Sequence, residues 1–368
     1  MAGRLKRYVG TANVRRAVLA FAGPWTGPGE DGLLPDRNAR ASANPGRMDV
    51  VARLRRLRAQ GPTASWLLVV VGVLAVVVAG LGVIFLDPGN VEVTTEPGAA
   101  TSAGAGQSAC AAFPAFPDAN CTGWRHTGVA LHPCENFIAQ SNITLDSCLF
   151  DGTLSIQGAN VTITRSRIEG RVAGVYQYGF SLRDLVLRDV EIDGSPHGVD
   201  PAGQAGIGSD DYTCIRCDIH HTGRGANLGE NVHIEDSYLH DWTYVDGAHQ
   251  TAIGSNGGQN FAIVHNNLEC RSGGCSAALS LYGDFAPIDN VTIERNLFNT
   301  NGGYCTYAGS VDGKPYPEGT NIRYRDNMFG KKYMPKCGIF GPVVSWDNNA
   351  GNVWSGNAWQ DGSGPVNP

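Results

Sequence analysis

Eight segments of the chain repeat one pattern of apolar and polar positions. They are NITLDSCLF from Asn142, NVTITRSRI from Asn160, DLVLRDVEI from Asp184, DYTCIRCDI from Asp211, NVHIEDSYL from Asn231, NFAIVHNNL from Asn260, NVTIERNLF from Asn290 and NIRYRDNMF from Asn321. Counting the first residue as position zero, positions one, three and eight are apolar or aromatic, or a buriable Cys, in all of them. Positions one and three carry the period-two alternation of a strand. Shorter strand-like pieces lie between, such as Leu154-Ser155-Ile156 and Ala278-Leu279-Ser280-Leu281. A unit of this kind buries its apolar face only against copies of itself, so the pattern predicts a solenoid. With strand registers kept and turns of variable length, the expected fold is an all-β parallel β-helix, one coil per repeat. Its coils would stack about 4.8 Å apart. Asn266, Asn296 and Asn327 share position six and are expected to form an internal amide ladder.

A different pattern precedes the repeats. Trp66–Leu86 is uniformly apolar and holds no charge. Its 21 residues suffice to cross a bilayer as a helix at ~1.5 Å per residue. Charge is divided around it: residues 1–65 carry a net +8 and the remainder a net -14, which together make the chain's -6. Arg53, Arg55, Arg56 and Arg58 lie just before the span, so the N-terminal side is expected in the cytoplasm. The expected organisation is a basic tail at 1–65, a signal anchor at 66–86, a Gly/Ala/Thr/Pro linker at 87–109 and an extracellular domain at 110–368. A cleaved signal peptide is the alternative for the span, and Met48 is a second candidate start. The acidic balance of the domain argues against nucleic acid as a partner.

All ten cysteines and all nine histidines follow the span. An even cysteine count confined to an exported part predicts disulfides. Cys270 with Cys275, Cys305 with Cys337, and Cys134 with Cys148 or Cys121 are the expected pairs. Cys214 and Cys217, three apart in a strand, are expected on opposite faces.

Phe116-Pro117-Asp118-Ala119-Asn120-Cys121-Thr122-Gly123 resembles the "FPDASNTG" segment that opens secreted bacterial β-helix proteins. Tyr238-Leu239-His240-Asp241 resembles their "YIHDL" coil end, and Gly302-Gly303-Tyr304 their "GGY" turn. Over roughly residues 113–345 the chain thus resembles the right-handed parallel β-helix proteins of the pectate lyase-like superfamily. The resemblance implies a right-handed solenoid and a polysaccharide partner. That superfamily holds lyases, hydrolases, epimerases and binders, so the reaction is left open.

Candidate chemistry lies just past each repeat. Position nine reads Asp151, Glu169, Asp193, His220, His240, Glu269, Asn299 and Gly330, a predicted line of titratable groups along the solenoid. Position ten adds His221 and Asp241, and the following turns add Arg224, Asp246 and His249. Seven of the nine histidines fall between His197 and His265. His220, His240, Asp241, Asp246, His249 and Arg224 are the expected catalytic set, gathered in one cleft. His240 or His249 would serve as a base and Arg224 would neutralise a uronate carboxylate. Asp241 and Asp246 would orient a histidine or hold Ca²⁺ as a cofactor. His221, Trp242, Tyr244, Asp193 and Glu269 are the expected substrate contacts, Trp242 and Tyr244 by stacking on sugar rings. Lys331, Lys332 and Lys336 form a basic knot suited to an acidic sugar or to a solvated turn.

Two departures bear on activity. Related bacterial proteins carry His-x-Asp-Gly-Ile-Gln after the coil-end His-Asp, whereas this chain has His249-Gln250-Thr251-Ala252-Ile253-Gly254. Ser209-Asp210-Asp211 matches the paired aspartates of polygalacturonases without the accompanying Gly-His-Gly. Two expectations stand for a monomer at the cell surface: a polysaccharide lyase or hydrolase, or a non-catalytic glycan-binding or adhesive protein.

Overall fold

The computed structural model describes residues 110–174, 181–199 and 203–368. The tail, the apolar span and the linker lie outside these residues, as does any test of membrane insertion. The described part is all-β, with a single 3-10 turn at Arg125–Thr127. Its strands pair in parallel into sheets of ten, thirteen and three strands. The first three coils send one strand to each sheet, and in later coils the third strand joins the thirteen-stranded sheet, a solenoid-like arrangement compatible with a parallel β-helix.

The apolar columns hold their register. Val161, Leu185, Tyr212, Val232, Phe261, Val291 and Ile322, all at position one, pair along the thirteen-stranded sheet. On the ten-stranded sheet, position eight supplies Phe150, Ile168, Ile192, Ile219, Leu239, Leu268, Phe298 and Phe329 in register. These side chains are buried in one continuous core. Removing such a column from water is the main drive for stacking the coils.

Two corners shape each coil. The residue at position zero has positive φ in all eight repeats, from Asn142 (59°) to Asn321 (53°). Position five has it too, through Ser147, Arg165, Asp189, Arg216, Asp236, His265, Arg295 and Asp326. A single left-handed residue at position five turns the chain from one sheet to the next. That corner corrects the expectation for Cys214 and Cys217. They flank Arg216 (φ 51°) rather than sharing a straight strand, both face the core, and they form a disulfide with Cα atoms 5.9 Å apart.

The other pairs are Cys110–Cys121, Cys134–Cys148, Cys270–Cys275 and Cys305–Cys337, with no cysteine free. The amide ladder is present and longer than expected. Asn266, Asn296, Asn327 and Asn357 bond in series: each side-chain oxygen accepts both the backbone N–H and the amide N–H of the preceding Asn. Asn357 belongs to a ninth coil, whose strands Val353–Ser355 and Ala358–Trp359 pair with the eighth. Its first apolar position is taken by Asn352, whose side chain accepts the Ile322 N–H at 2.9 Å, so the pattern conceals it.

Candidate functional site

The outer face of the ten-stranded sheet carries the titratable line. Asp193, His220 and His240 are direct neighbours on successive strands, and Glu269 pairs with Asn299 further along. Alternation puts position seven on the same face as position nine. Glu191, Asp218, Tyr238 and Asn267 form that second column.

The two columns interlock. His240 Nε2 lies 2.9 Å from Asp218 Oδ1, and its Nδ1 lies 2.8 Å from Asp241 Oδ2. His220 Nε2 lies 3.2 Å from Glu191 Oε1. The rings of His220 and His240 stack with centroids 5.2 Å apart, and Tyr238 stacks on His240 at 3.8 Å. Asp193 accepts the Ser195 N–H on Oδ1 and the Arg167 guanidinium on Oδ2, both at 2.9 Å.

His221 and Asp241 follow their strands with φ of 55° and 50°. The left-handed turn brings the His221 ring beside that of its chain neighbour, with the two Nδ1 atoms 2.6 Å apart. Gly194, at the same position one coil earlier, has no side chain for good reason: a Cβ there would lie 2.3 Å from His221 O.

Burial grades the group. Glu191, Asp193, Asp218, His220 and His240 are buried, whereas the Asp241 side chain is 59% exposed and that of His221 47%. The cover is an N-terminal strap. Gly123, Trp124, Arg125 and His126 cross the position-five and position-seven edge of the sheet. The Trp124 indole N–H donates to Glu191 Oε2 at 2.7 Å, and the Arg125 guanidinium pairs with the same carboxylate. His126 bonds Asp189, the Gly123 N–H donates to Arg216 O, and Asn267 donates to Pro117 O. Gly123 packs so closely that a Cβ would lie 3.1 Å from Asp218 Cβ.

The charges respond to these contacts. Burial alone would raise the Glu191 pKa, but its bonds to His220 and Arg125 outweigh that and hold it at about 2. Burial opposes charge on His240, yet Asp218 and Asp241 prevail and raise its pKa. Asp241 is lowered in turn: burial works against ionisation, and the His240 hydrogen bond overcomes it. His240 is therefore held between two carboxylates that favour its charged form.

The expected catalytic set is divided by the fold. His220, His221, His240, Asp193 and Asp241 come together. Arg224 opens the strand Arg224–Glu235 on the thirteen-stranded sheet, past the turn at Thr222-Gly223, with its guanidinium largely buried and its pKa lowered by that burial. Asp246 is exposed in the loop between the two sheets and accepts the Tyr244 hydroxyl at 3.0 Å. Asp241 and Asp246 thus engage different partners. His249 ends that loop, with Nδ1 3.3 Å from Ser276 Oγ on the next coil.

Among the expected substrate contacts, Tyr244 is exposed. Trp242 is a core residue: it is 5% exposed and its indole N–H donates to Glu269 O at 2.9 Å, which leaves no ring face for a sugar. Glu269 is buried and neutralised, its carboxylate holding Lys332 at 2.8 Å and the Tyr333 hydroxyl. That pairing also places Lys332, while Lys331 pairs with Asp361 at 2.8 Å.

Sequence reasoning missed Glu191, Asp218 and Arg167, whose signal was the same period-two alternation one step back from position nine. It also missed Gln250, buried beneath the loop, whose Nε2 donates to Gly223 O and Thr243 O at 2.5 and 2.7 Å. A second surface lies on the later coils, where Tyr282, Tyr307, Tyr304 and Phe340 form a row with successive centroids 5.2, 5.7 and 5.7 Å apart.

No family model, curated protein or solved structure matches the chain.

Proposed function

We propose that this protein is a membrane-anchored, extracellular right-handed β-helix of the pectate lyase-like type that cleaves an extended glycan laid along its coils. The observation that carries the reading is the His240 centre: a buried imidazole bonded to both Asp218 and Asp241, open to solvent on the Asp241 side. Burying a histidine against two carboxylates is costly for stability alone, and perturbed groups of this kind concentrate at functional sites. The raised pKa suits His240 to proton donation at a leaving glycosidic oxygen, relayed outward through the Nδ1–Asp241 bond. The reaction would be hydrolysis or β-elimination. The Asn ladder and the motifs at Phe116–Gly123 and Tyr238–Asp241 support the fold type, and five disulfides support an oxidising compartment.

A second reading, a non-catalytic glycan-binding or adhesive surface protein, is favoured by the aromatic row ending at Phe340, which is 67% exposed. Tyr304 and Tyr307 share one strand, with Tyr282 and Phe340 on the coils to either side, and such a cluster would stack on sugar rings.

The test is a screen of the full chain on pectate, alginate and neutral glycans, following unsaturated products by ultraviolet absorbance and new reducing ends. Product from one polymer class, with turnover falling about 100-fold or more in His240→Gln, supports catalysis. Tight binding without product selects the second reading. Neither binding nor product on any class removes both.

A further inference from the structure

His220 and His221 are adjacent in the chain, and adjacent strand residues ordinarily point to opposite faces. Here they converge, because His221 leaves the strand with φ 55°. A left-handed histidine is uncommon and carries a conformational cost. The outcome is a triangle of three donor atoms: the two Nδ1 atoms 2.6 Å apart, and Asp193 Oδ1 3.5 Å from His220 Nδ1 and 3.4 Å from His221 Nδ1.

The supporting bonds point the same way. The Glu191 carboxylate faces His220 Nε2 and also takes the Trp124 and Arg125 donors, so it acts as an acceptor. His220 then carries its ring hydrogen on Nε2 and presents the Nδ1 lone pair to the triangle. A carboxylate behind an imidazole in this manner is the usual outer support of a metal-bound histidine. Asp193 is fixed as well, with Arg167 occupying Oδ2 and leaving Oδ1 turned to the histidines beside the Ser195 N–H.

We propose that Asp193, His220 and His221 bind a first-row divalent transition-metal ion, with Zn²⁺ the best match. Two imidazoles and one carboxylate suit such an ion and not Ca²⁺, which takes oxygen donors. Zinc with bonds of about 2.0–2.2 Å spaces its donors roughly 3.3–3.5 Å apart. Two edges of the triangle already have that length. The third opens by rotation of the His221 ring, whose side chain is 47% exposed and free to move outward. Three protein donors leave a coordination position for water or substrate, the pattern of reactive rather than purely structural zinc. The site adjoins the His240 centre but does not rest on the glycan reading, since ion binding is measured without any sugar.

The competing account of the same geometry is a proton shared between the two histidines. The two are separated by titrating chelator-stripped full chain with Zn²⁺, Co²⁺ and Ca²⁺ alone, using calorimetry and metal analysis after gel filtration. One equivalent of Zn²⁺ per chain is expected, together with the d–d absorption of bound Co²⁺ and no comparable uptake of Ca²⁺. Zinc affinity should fall at least about tenfold in His221→Ala, whose partly exposed side chain makes misfolding a minor risk, and likewise in Asp193→Asn. It should be unchanged in His233→Ala, a half-buried histidine on another sheet paired with Glu235. Absence of zinc binding, or binding that is equal in the wild type, His221→Ala and Asp193→Asn, overturns the proposal. Glycan cleavage persisting in fully chelated protein would leave the glycan reading standing while denying this ion a part in it.

Discussion

His240 is pressed between two carboxylates, and that decides the sign of its effect on stability. Its folded pKa is raised above the ordinary 6.5 despite burial, through Asp218 and Asp241. Below that ordinary value the imidazole is charged in both folded and unfolded chains, and the ion pairs contribute in full. As pH rises through the folded value the contribution is lost. His265 behaves alike, its pKa raised first by its bond to Asp236. Thermal unfolding recorded across this window should therefore fall with rising pH, and His240→Gln should show a shallower fall than the wild type. Parallel curves would contradict the assignment. At this scale the sequence was partly legible. Position nine was visible as the first polar residue after each apolar end, and Asp193, His220 and His240 do align. Asp218 and Glu191 were passed over because their column lies before the last apolar residue. Trp242 was misjudged because a turn residue's burial depends on what folds over it, and no local pattern encodes that.

The amide ladder and the strap differ in how they are written into the chain. The ladder is periodic: Asn266, Asn296 and Asn327 recur at one position, and the bonds follow from stacking. Asn296 accepts from Asn266 and donates to Ile263 O and Asn327 Oδ1, all buried. Asn296→Ala leaves several of these groups short of a partner and should cost roughly 2–5 kcal/mol in chemical denaturation. The exposed ladder at position zero, in which Asn290 donates to Asn260 at 2.9 Å, should tolerate Asn290→Gly within about 0.5 kcal/mol, since glycine keeps the positive φ. Equal losses at the two positions would deny the inner ladder its structural role. The strap has no period. Its course over Glu191 and Asp218 rests on contacts between residues far apart in sequence, such as Trp124 with Glu191, so the motif at Phe116–Gly123 announced the segment without its place. The ninth coil was hidden for a local reason, the substitution of Asn352 for an apolar residue.

Residues 66–368 carry a net -14, and the described part of them is a parallel solenoid. For the glycan partner proposed above, this charge favours a neutral polymer, or an acidic one bridged by a cation. Elongation is the property that matters for such a ligand, because equivalent positions on successive coils repeat along one axis and a polymer can engage several at once. Division of the expected catalytic set between two sheets narrows the proposed reacting centre to the coils bearing Asp193, His220 and His240. In the function proposed above, an extended glycan lies over these coils. The most direct test is hydrogen exchange and affinity measured with a series of oligosaccharides of increasing length from whichever polymer the screen selects. Affinity should rise with each added sugar over several units, and protection should spread from the strands around His220 and His240 onto neighbouring coils. A short sugar that binds as tightly as a long one, or protection confined to another face, would contradict it.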